Sequence, residues 1–480
     1  MQLWVVLGLT LVAALHAMLG TAWVPVSDPD VWWVAAAGRQ TLREHAVPTQ
    51  NLFSFTDPTQ PWIMHEWALG PPYALGLERL GPQFFVLVAM LTLSTGLWLI
   101  LRATLGRARL PYAGALMACT ATLFFLRRLQ TARPTCVSLL FPLALTTLAF
   151  ANSFSRARLA ACVLCEWLWA NCHGSFPLGI LLLSAAALAH AEDRPRRVIA
   201  VIAATAVTII NPYGVALHRF VWGYFTGQHG IYREIHTAIP EFGSLWSSWG
   251  FVTTLPEVLG FCVVAAMALA ACRQRAQRVR GVVCVALLIM AARQARHLEL
   301  AGLVSCVLLV PWADSWVASW MTQPAADRAS IRYLPLILLP TCTLGLITFA
   351  VAHLQRAPED WISEDLQYVH ALAKVPDAAH LYIPFYGAGV AIWRGYPRGI
   401  RVFYDSRNDC YSVNTLRNFA QLGRASTSGK TANTILDHFE SDAVLVPSQH
   451  PLNKHLTHAA NWRRIEATPA VLFIRERPGT

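Results

Sequence analysis

Two acids separated by one residue, Asp28 and Asp30, stand directly ahead of Trp32-Trp33, and His65-Glu66-Trp67 closes the same stretch before the chain turns apolar again. Because a membrane-length apolar segment precedes them, carboxylates, indoles and an imidazole gather at the edge of a bilayer. Ionised side chains lose solvation there and gain nothing from packing. Their grouping points to chemistry on a lipid-borne substrate. The Asp-x-Asp spacing would also suit oxygen ligation of Mg²⁺ or Mn²⁺. A plainer reading of Asp28 and Asp30 is an Asx-Pro turn capping a helix from Val31.

Cations stand in two groups, Arg127, Arg128 and Arg133, and Arg293, Arg296 and His297. Guanidinium suits phosphate because it offers several fixed donors and keeps its charge. The competing readings are snorkelling to lipid headgroups and pairing with Asp405 and its neighbours. His173 would orient an acceptor or act as an acid/base group, or serve as a hydrogen-bonded structural histidine. Glu66 lies between Trp62 and Trp67, whose faces suit sugar stacking or an interfacial aromatic belt. Asp405-Ser406-Arg407-Asn408-Asp409 is a dense polar run after a strand. It contacts an acceptor, closes over a membrane site, or pairs internally to position its domain.

The elements that carry these residues follow from composition. With 55% hydrophobic and 14% charged residues, against the roughly 25% charged of an average soluble chain, this is an α-helical polytopic membrane protein. Met1 to Trp23 reads as a retained first helix without the basic start of a signal peptide. Further spans are expected near 83–101, 110–126, 136–151, 159–171, 174–191, 197–211, 251–271, 281–292, 298–312 and 332–353, about eleven crossings in all. The hairpins 159–191 and 281–313 contain short helices, and making either re-entrant leaves the later sidedness unchanged. One set of loops carries 14 arginines against the acids Glu192, Asp193 and Asp314. The positive-inside rule puts that set, and the N-terminus, in the cytoplasm. The first outward loop, 25–82, and the tail then face outward.

Net charge is +11, but there are only three lysines, and the arginines sit in short inter-span loops. That distribution is topogenic and excludes nucleic acid as a partner. Of eleven cysteines only Cys410 lies in the outward tail, so no disulfide forms within it. Cys162-x-x-Cys165 sits inside a span without a second pair and reads as packing. Residues 1–355 form the transmembrane domain and 356–480 a soluble extracytoplasmic α/β domain. In the latter a helix is predicted over Ile362–Val375 and strands over Leu381–Phe385, Arg401–Tyr404, Ala443–Val446 and Val471–Arg475. Gly387-Ala388-Gly389 lacks a third glycine and reads as a turn rather than a nucleotide loop.

Asp28-Pro29-Asp30-Val31-Trp32-Trp33, Gly38-Arg39, Pro48, Phe53-Ser54-Phe55, Trp62 and His65-Glu66-Trp67 together resemble the N-terminal signature of a bacterial family of multi-spanning proteins similar to GT-C glycosyltransferases. Trp169-Ala170-Asn171-Cys172-His173-Gly174, Asn211-Pro212-Tyr213-Gly214, Ile239-Pro240-Glu241-Phe242, Arg296-His297 and Tyr404-Asp405-Ser406-Arg407 extend it over nearly the whole chain. The resemblance implies a transferase moving sugar from a polyprenyl-phosphate carrier to an acceptor at the outer surface of a bacterial inner membrane. It also implies that Asp30 is the first-loop acid that serves as base or orients the acceptor. Where that family has a histidine after the paired tryptophans, this chain has Val34, and His65 is the nearest replacement. Two other functions compete. A transporter would place charges mid-span, whereas here only Glu166 and Glu299 lie there in part. An inactive scaffold would account for Val34.

Overall fold

The computed structural model describes residues 28–104, 107–124, 132–227, 230–248, 255–321 and 368–476. The expected first and last spans, and Arg127 and Arg128, lie outside them. Two compact units result among the described residues: a helical unit within 86–214 and 236–321, and a mixed unit within 28–85, 215–235 and 368–476. The first outward loop therefore belongs to the same unit as the tail, not with the spans to which the sequence reading joined it.

In the mixed unit, helix α1 (Pro29–Glu44) opens on Asp28, whose carboxylate accepts from the Asp30 N–H at 2.9 Å. Pro29 at the first helical position gives up an N–H that would have needed a partner anyway. The helix thus starts two residues before Val31, where the sequence placed it. Helix α2 (Gly70–Leu80) packs on α1 through Gly38 and Gly70. A Cβ added at Gly38 would stand 1.9 Å from the Gly70 carbonyl, so the backbones touch. Arg39 reaches across to Glu78 at 2.8 Å and lies flat on Trp393. Helix α3 (Phe385–Gly395) contains Gly387-Ala388-Gly389, which is a stretch of helix and not the expected turn. A Cβ at Gly389 would meet the Pro29 carbonyl oxygen at 2.3 Å.

Five strands form the sheet: β1 (His380–Tyr382), β2 (Arg401–Val402), β3 (Ala443–Pro447), β4 (Trp462–Ala467) and β5 (Ala470–Arg475), in the order β2-β1-β3-β5-β4. The β1 pairings with β2 and β3 are parallel, those of β5 with β3 and β4 antiparallel. Parallel neighbours need crossovers, and α3 supplies the one from β1 to β2. The sequence reading missed β4. It is an edge strand exposing Arg463, Arg464 and Glu466, charges that guard an edge against stray pairing while hiding its periodicity. Of the predicted Ile362–Val375 helix, the described part is Tyr368–Leu372. The opposite edge is extended by the first loop. Ser54 bridges Val402 in parallel, the Val402 N–H donates to Phe53 O at 3.0 Å, and the Phe55 N–H donates to Val402 O at 3.3 Å.

The helical unit includes Leu140–Ala149, Arg156–Cys172, Pro177–Ala189, Arg194–Val207, Leu255–Arg273, Arg278–Arg293, Leu298–Leu308 and Val310–Met321. Among the described residues one helix, Leu255–Arg273, is long and apolar enough to cross a membrane. The pair Ala295–Leu308 and Val310–Met321, bent by 53°, makes a second if taken as one broken span. Large apolar side chains stand on the exterior of this unit: Leu181, Leu188, Ile202 and Leu259 are each more than half exposed. A surface of that kind is stable against hydrocarbon and not against water. One loop arginine has a structural task. Arg197 is 1% exposed, donates to the carbonyls of Ala149 and Ala151, and lies over Phe154.

Gly38→Ala inserts a methyl where α1 and α2 touch, so it should lower stability by about 1–3 kcal/mol, the usual cost of overpacking. Thermal denaturation of the purified protein in detergent checks this; an unchanged midpoint would mean the helices separate freely.

Candidate functional site

Asp30 sits in the first turn of α1, where its Oδ1 accepts from Trp33 Nε1 at 3.1 Å. The same indole N–H is 3.0 Å from Ser406 Oγ. Trp33 itself is 5% exposed and packs edge-on against Trp62. A rigid indole thus fixes the Asp30 carboxylate against the tail while Asp30 stays partly exposed. Asp28 is 7% exposed, and its Oδ1 is committed to the helix cap.

Behind this helix end lies a fully enclosed ion pair. Asp405 and Arg407 both have side chains 0% exposed and meet at 2.7 Å. Arg407 Nε and Nη2 take one Asp405 oxygen each, at 2.8 and 2.7 Å, and the Tyr411 hydroxyl donates to Asp405 Oδ2 at 2.6 Å. Arg407 Nη2 also donates to Asn51 Oδ1 at 2.6 Å, and the guanidinium lies over Phe53 and Trp62. Both residues were candidates for substrate binding. Burial gives them the other task, internal pairing that seats the first loop on the tail. Trp62, a candidate sugar-stacking face, is 2% exposed and serves the same packing.

His65 and Glu66 follow on that loop, His65 Nε2 standing 3.4 Å from Glu66 Oε1 and the ring tilted against Phe220. Burial opposes an imidazolium here, yet the charges of Glu66 and Asp409 outweigh it and raise His65 above its ordinary range. Asp409 responds in the same direction: burial pushes its carboxyl up from 3.8 to about 7 despite the pull of His65. Both groups thus favour their protonated forms more than they would in water, each responding to the other's charge.

In the helical unit, Arg133 and Arg296 converge on one carboxylate. Arg133 Nη1 is 3.7 Å from Glu241 Oε2, and Arg296 Nη1 is 3.7 Å from Glu241 Oε1. Phe242, next in sequence, stacks on His236 and carries the Arg296 guanidinium 4.2 Å from its ring centre. Arg293 ends its helix and does not join this group in any described ion pair. His297 Nε2 faces Gln294 Oε1 at 3.1 Å. His173 caps the end of Arg156–Cys172, its Nδ1 accepting from the Ser175 N–H at 3.1 Å, as a structural histidine would. Three contributors were not chosen as site residues from sequence: Asp409, Asn51 and Glu241. Asp409 and Glu241 lay within strings already singled out; Asn51 carried no signal.

No protein-family profile and no curated protein matches this chain. Solved structures do. ArnT from Cupriavidus metallidurans, bound to undecaprenyl phosphate, aligns over 98% of this chain and 97% of its own, with TM-score 0.57 and 13% identity. The oligosaccharyltransferase AglB from Archaeoglobus fulgidus, in complex with an inhibitory peptide and a dolichol-phosphate, aligns over 99% and 75%, with TM-score 0.57 and 11% identity. The chain has the GT-C fold. At such identities the likeness is one of fold. In this chain the residues placed together are Asp30, Trp33 and Ser406; His65, Glu66 and Asp409; and, in the helical unit, Arg133, Arg296 and Glu241.

Two predictions follow from this geometry. Asp405→Asn strands a buried guanidinium, and losing one partner of such a pair costs about 3–5 kcal/mol. The double variant Asp405→Asn with Arg407→Met should lose less than the single one in denaturant melts in detergent. For Asp409, the folded protein holds its proton more tightly than the unfolded chain, so stability is greatest below the unfolded value and falls as pH rises through about 7. His65, also raised, acts in the same sense. Asp409→Asn should flatten the decline in melting temperature between about pH 4 and 7; a slope equal to the parent's would assign the titration elsewhere.

Proposed function

We propose that this GT-C chain is a membrane glycosyltransferase that moves a sugar from a polyprenyl-phosphate carrier to a hydroxyl acceptor on the extracytoplasmic side. The observation that carries the reading is Asp30, held at a helix start by Trp33 yet partly exposed. Undecaprenyl phosphate and dolichol-phosphate, bound by proteins of the same fold, support the carrier class.

In the reaction Asp30 takes the proton of the acceptor hydroxyl as its oxygen bonds to the anomeric carbon. The bond from that carbon to the carrier phosphate oxygen breaks, and the phosphate keeps the electron pair. Fixing the carboxylate in advance lowers the cost of orienting it at the moment of reaction. Within the helical unit, Arg133 and Arg296 supply charge of the kind that suits a carrier phosphate. His65 and Asp409, both raised above their ordinary values, would pass the proton onward. Asp28 contributes through the helix cap, its Oδ1 accepting from the Asp30 N–H.

A positioned base contributes about 10² to 10⁴ in rate, so Asp30→Asn should lower turnover of radiolabelled polyprenyl-phosphate sugar by that order while donor binding is kept. Turnover within about threefold of the parent, on folded protein, would remove Asp30 from the acid/base role.

A further inference from the structure

Arg133 precedes a short helix at Pro134–Ser138, Arg296 lies in the turn Ala295–His297, and Glu241 in the turn Pro240–Phe242. Three segments far apart in sequence thus bring two cations to the two oxygens of one acid, each at 3.7 Å. All three side chains keep some exposure, 30%, 23% and 19% for Arg133, Arg296 and Glu241, so the group is open to a ligand. Phe242, held between His236 and Arg296, fixes the backbone from which Glu241 projects.

An acid here is unexpected if the arginines exist only to attract phosphate, because it cancels one of their two charges. It makes sense when the two forms of the carrier are compared. The sugar-loaded carrier is a phosphodiester with one negative charge. After transfer the carrier is a phosphomonoester with close to two charges at neutral pH. The two arginines alone would hold the dianion about twice as strongly as the monoanion, and the glutamate reduces that excess because its repulsion of a dianion is likewise about twice its repulsion of a monoanion. Like charges at this range repel strongly when partly shielded from water.

Resting on the assignment of this pair to carrier phosphate, we propose that Glu241 is a specificity residue that lessens the arginines' preference for the spent, doubly charged carrier and so favours its departure. Selection here works by a repulsive element set against the wrong ligand, not by a new contact to the right one.

The test uses the full chain in detergent at pH 8 and two short-chain probes, a polyprenyl phosphate monoester and its methyl phosphodiester. Glu241→Gln should tighten the monoester about tenfold and change the diester less than about threefold, as expected for removing one like-charge contact. Glu241→Asp should keep the discrimination of the parent. Glu241→Ala removes the same charge with less bulk and serves if the glutamine variant does not fold. Equal changes for both probes, or weaker binding of both, would make Glu241 a mere support for the arginines and overturn the proposal. A parent that binds neither probe removes the arginine pair from the phosphate role and the proposal with it. A parent that binds both but transfers no sugar removes only the catalytic reading, which keeps the two failures apart.

Discussion

The mixed unit depends on one charged contact, the enclosed pair of Asp405 and Arg407. Taking two ions out of water costs several kcal/mol each, and the cost is met only if nearly every donor and acceptor finds a partner. Here Asp405 receives the Arg407 backbone and side chain and the Tyr411 hydroxyl, while Arg407 reaches on to Asn51 and lies over Phe53 and Trp62. Those last partners come from the first loop. The guanidinium has its Asn51 acceptor and its aromatic faces only when that loop is in place, so a buried charge favours one arrangement of loop and tail, where an apolar contact of similar size would tolerate several. The fixed positions of Trp33 and Ser406, and so of the Asp30 carboxylate, follow from it.

Much of the architecture was legible from the residues. The apolar helices, the α/β tail and four of its strands follow from hydropathy and period. What escaped was set by contacts with distant chain. Strand β4 reads as charged because it is an edge, and its outward residues outnumber its inward ones. Gly387-Ala388-Gly389 looks like a turn because glycine is a poor helix former. Only the closeness of Pro29 explains why Gly389 is tolerated inside α3. The membership of the first loop in the tail's unit is likewise invisible locally, since its bridge to Val402 involves a few residues with no strand-like alternation.

The candidate site divides in the same way. Asp30, His65 and Glu66 could be found because ionised groups beside apolar segments stand out against their surroundings. Asp405 and Arg407 stood out equally, and burial rather than residue type decides that they are structural. Glu241 lay inside a motif string, yet nothing local gave it a role, because its meaning comes from two arginines elsewhere in the chain. The motif strings themselves contain much turn chemistry. Asn211 Oδ1, for example, accepts from the Tyr213 N–H at 2.8 Å across Pro212, and Gly214 has a φ of 53°.

The edge that Phe53–Phe55 lends to β2 has a consequence for how the molecule is made. Arg401 donates to Leu52 O across 349 residues of chain. At the usual pace of synthesis of about 5–20 residues per second, the first loop is complete roughly 20–70 s before its partner strand exists. Throughout that interval Asn51, Phe53 and Trp62 are without the guanidinium they will enclose. During synthesis the first loop thus stands with an unfilled seam until its partner strand is made.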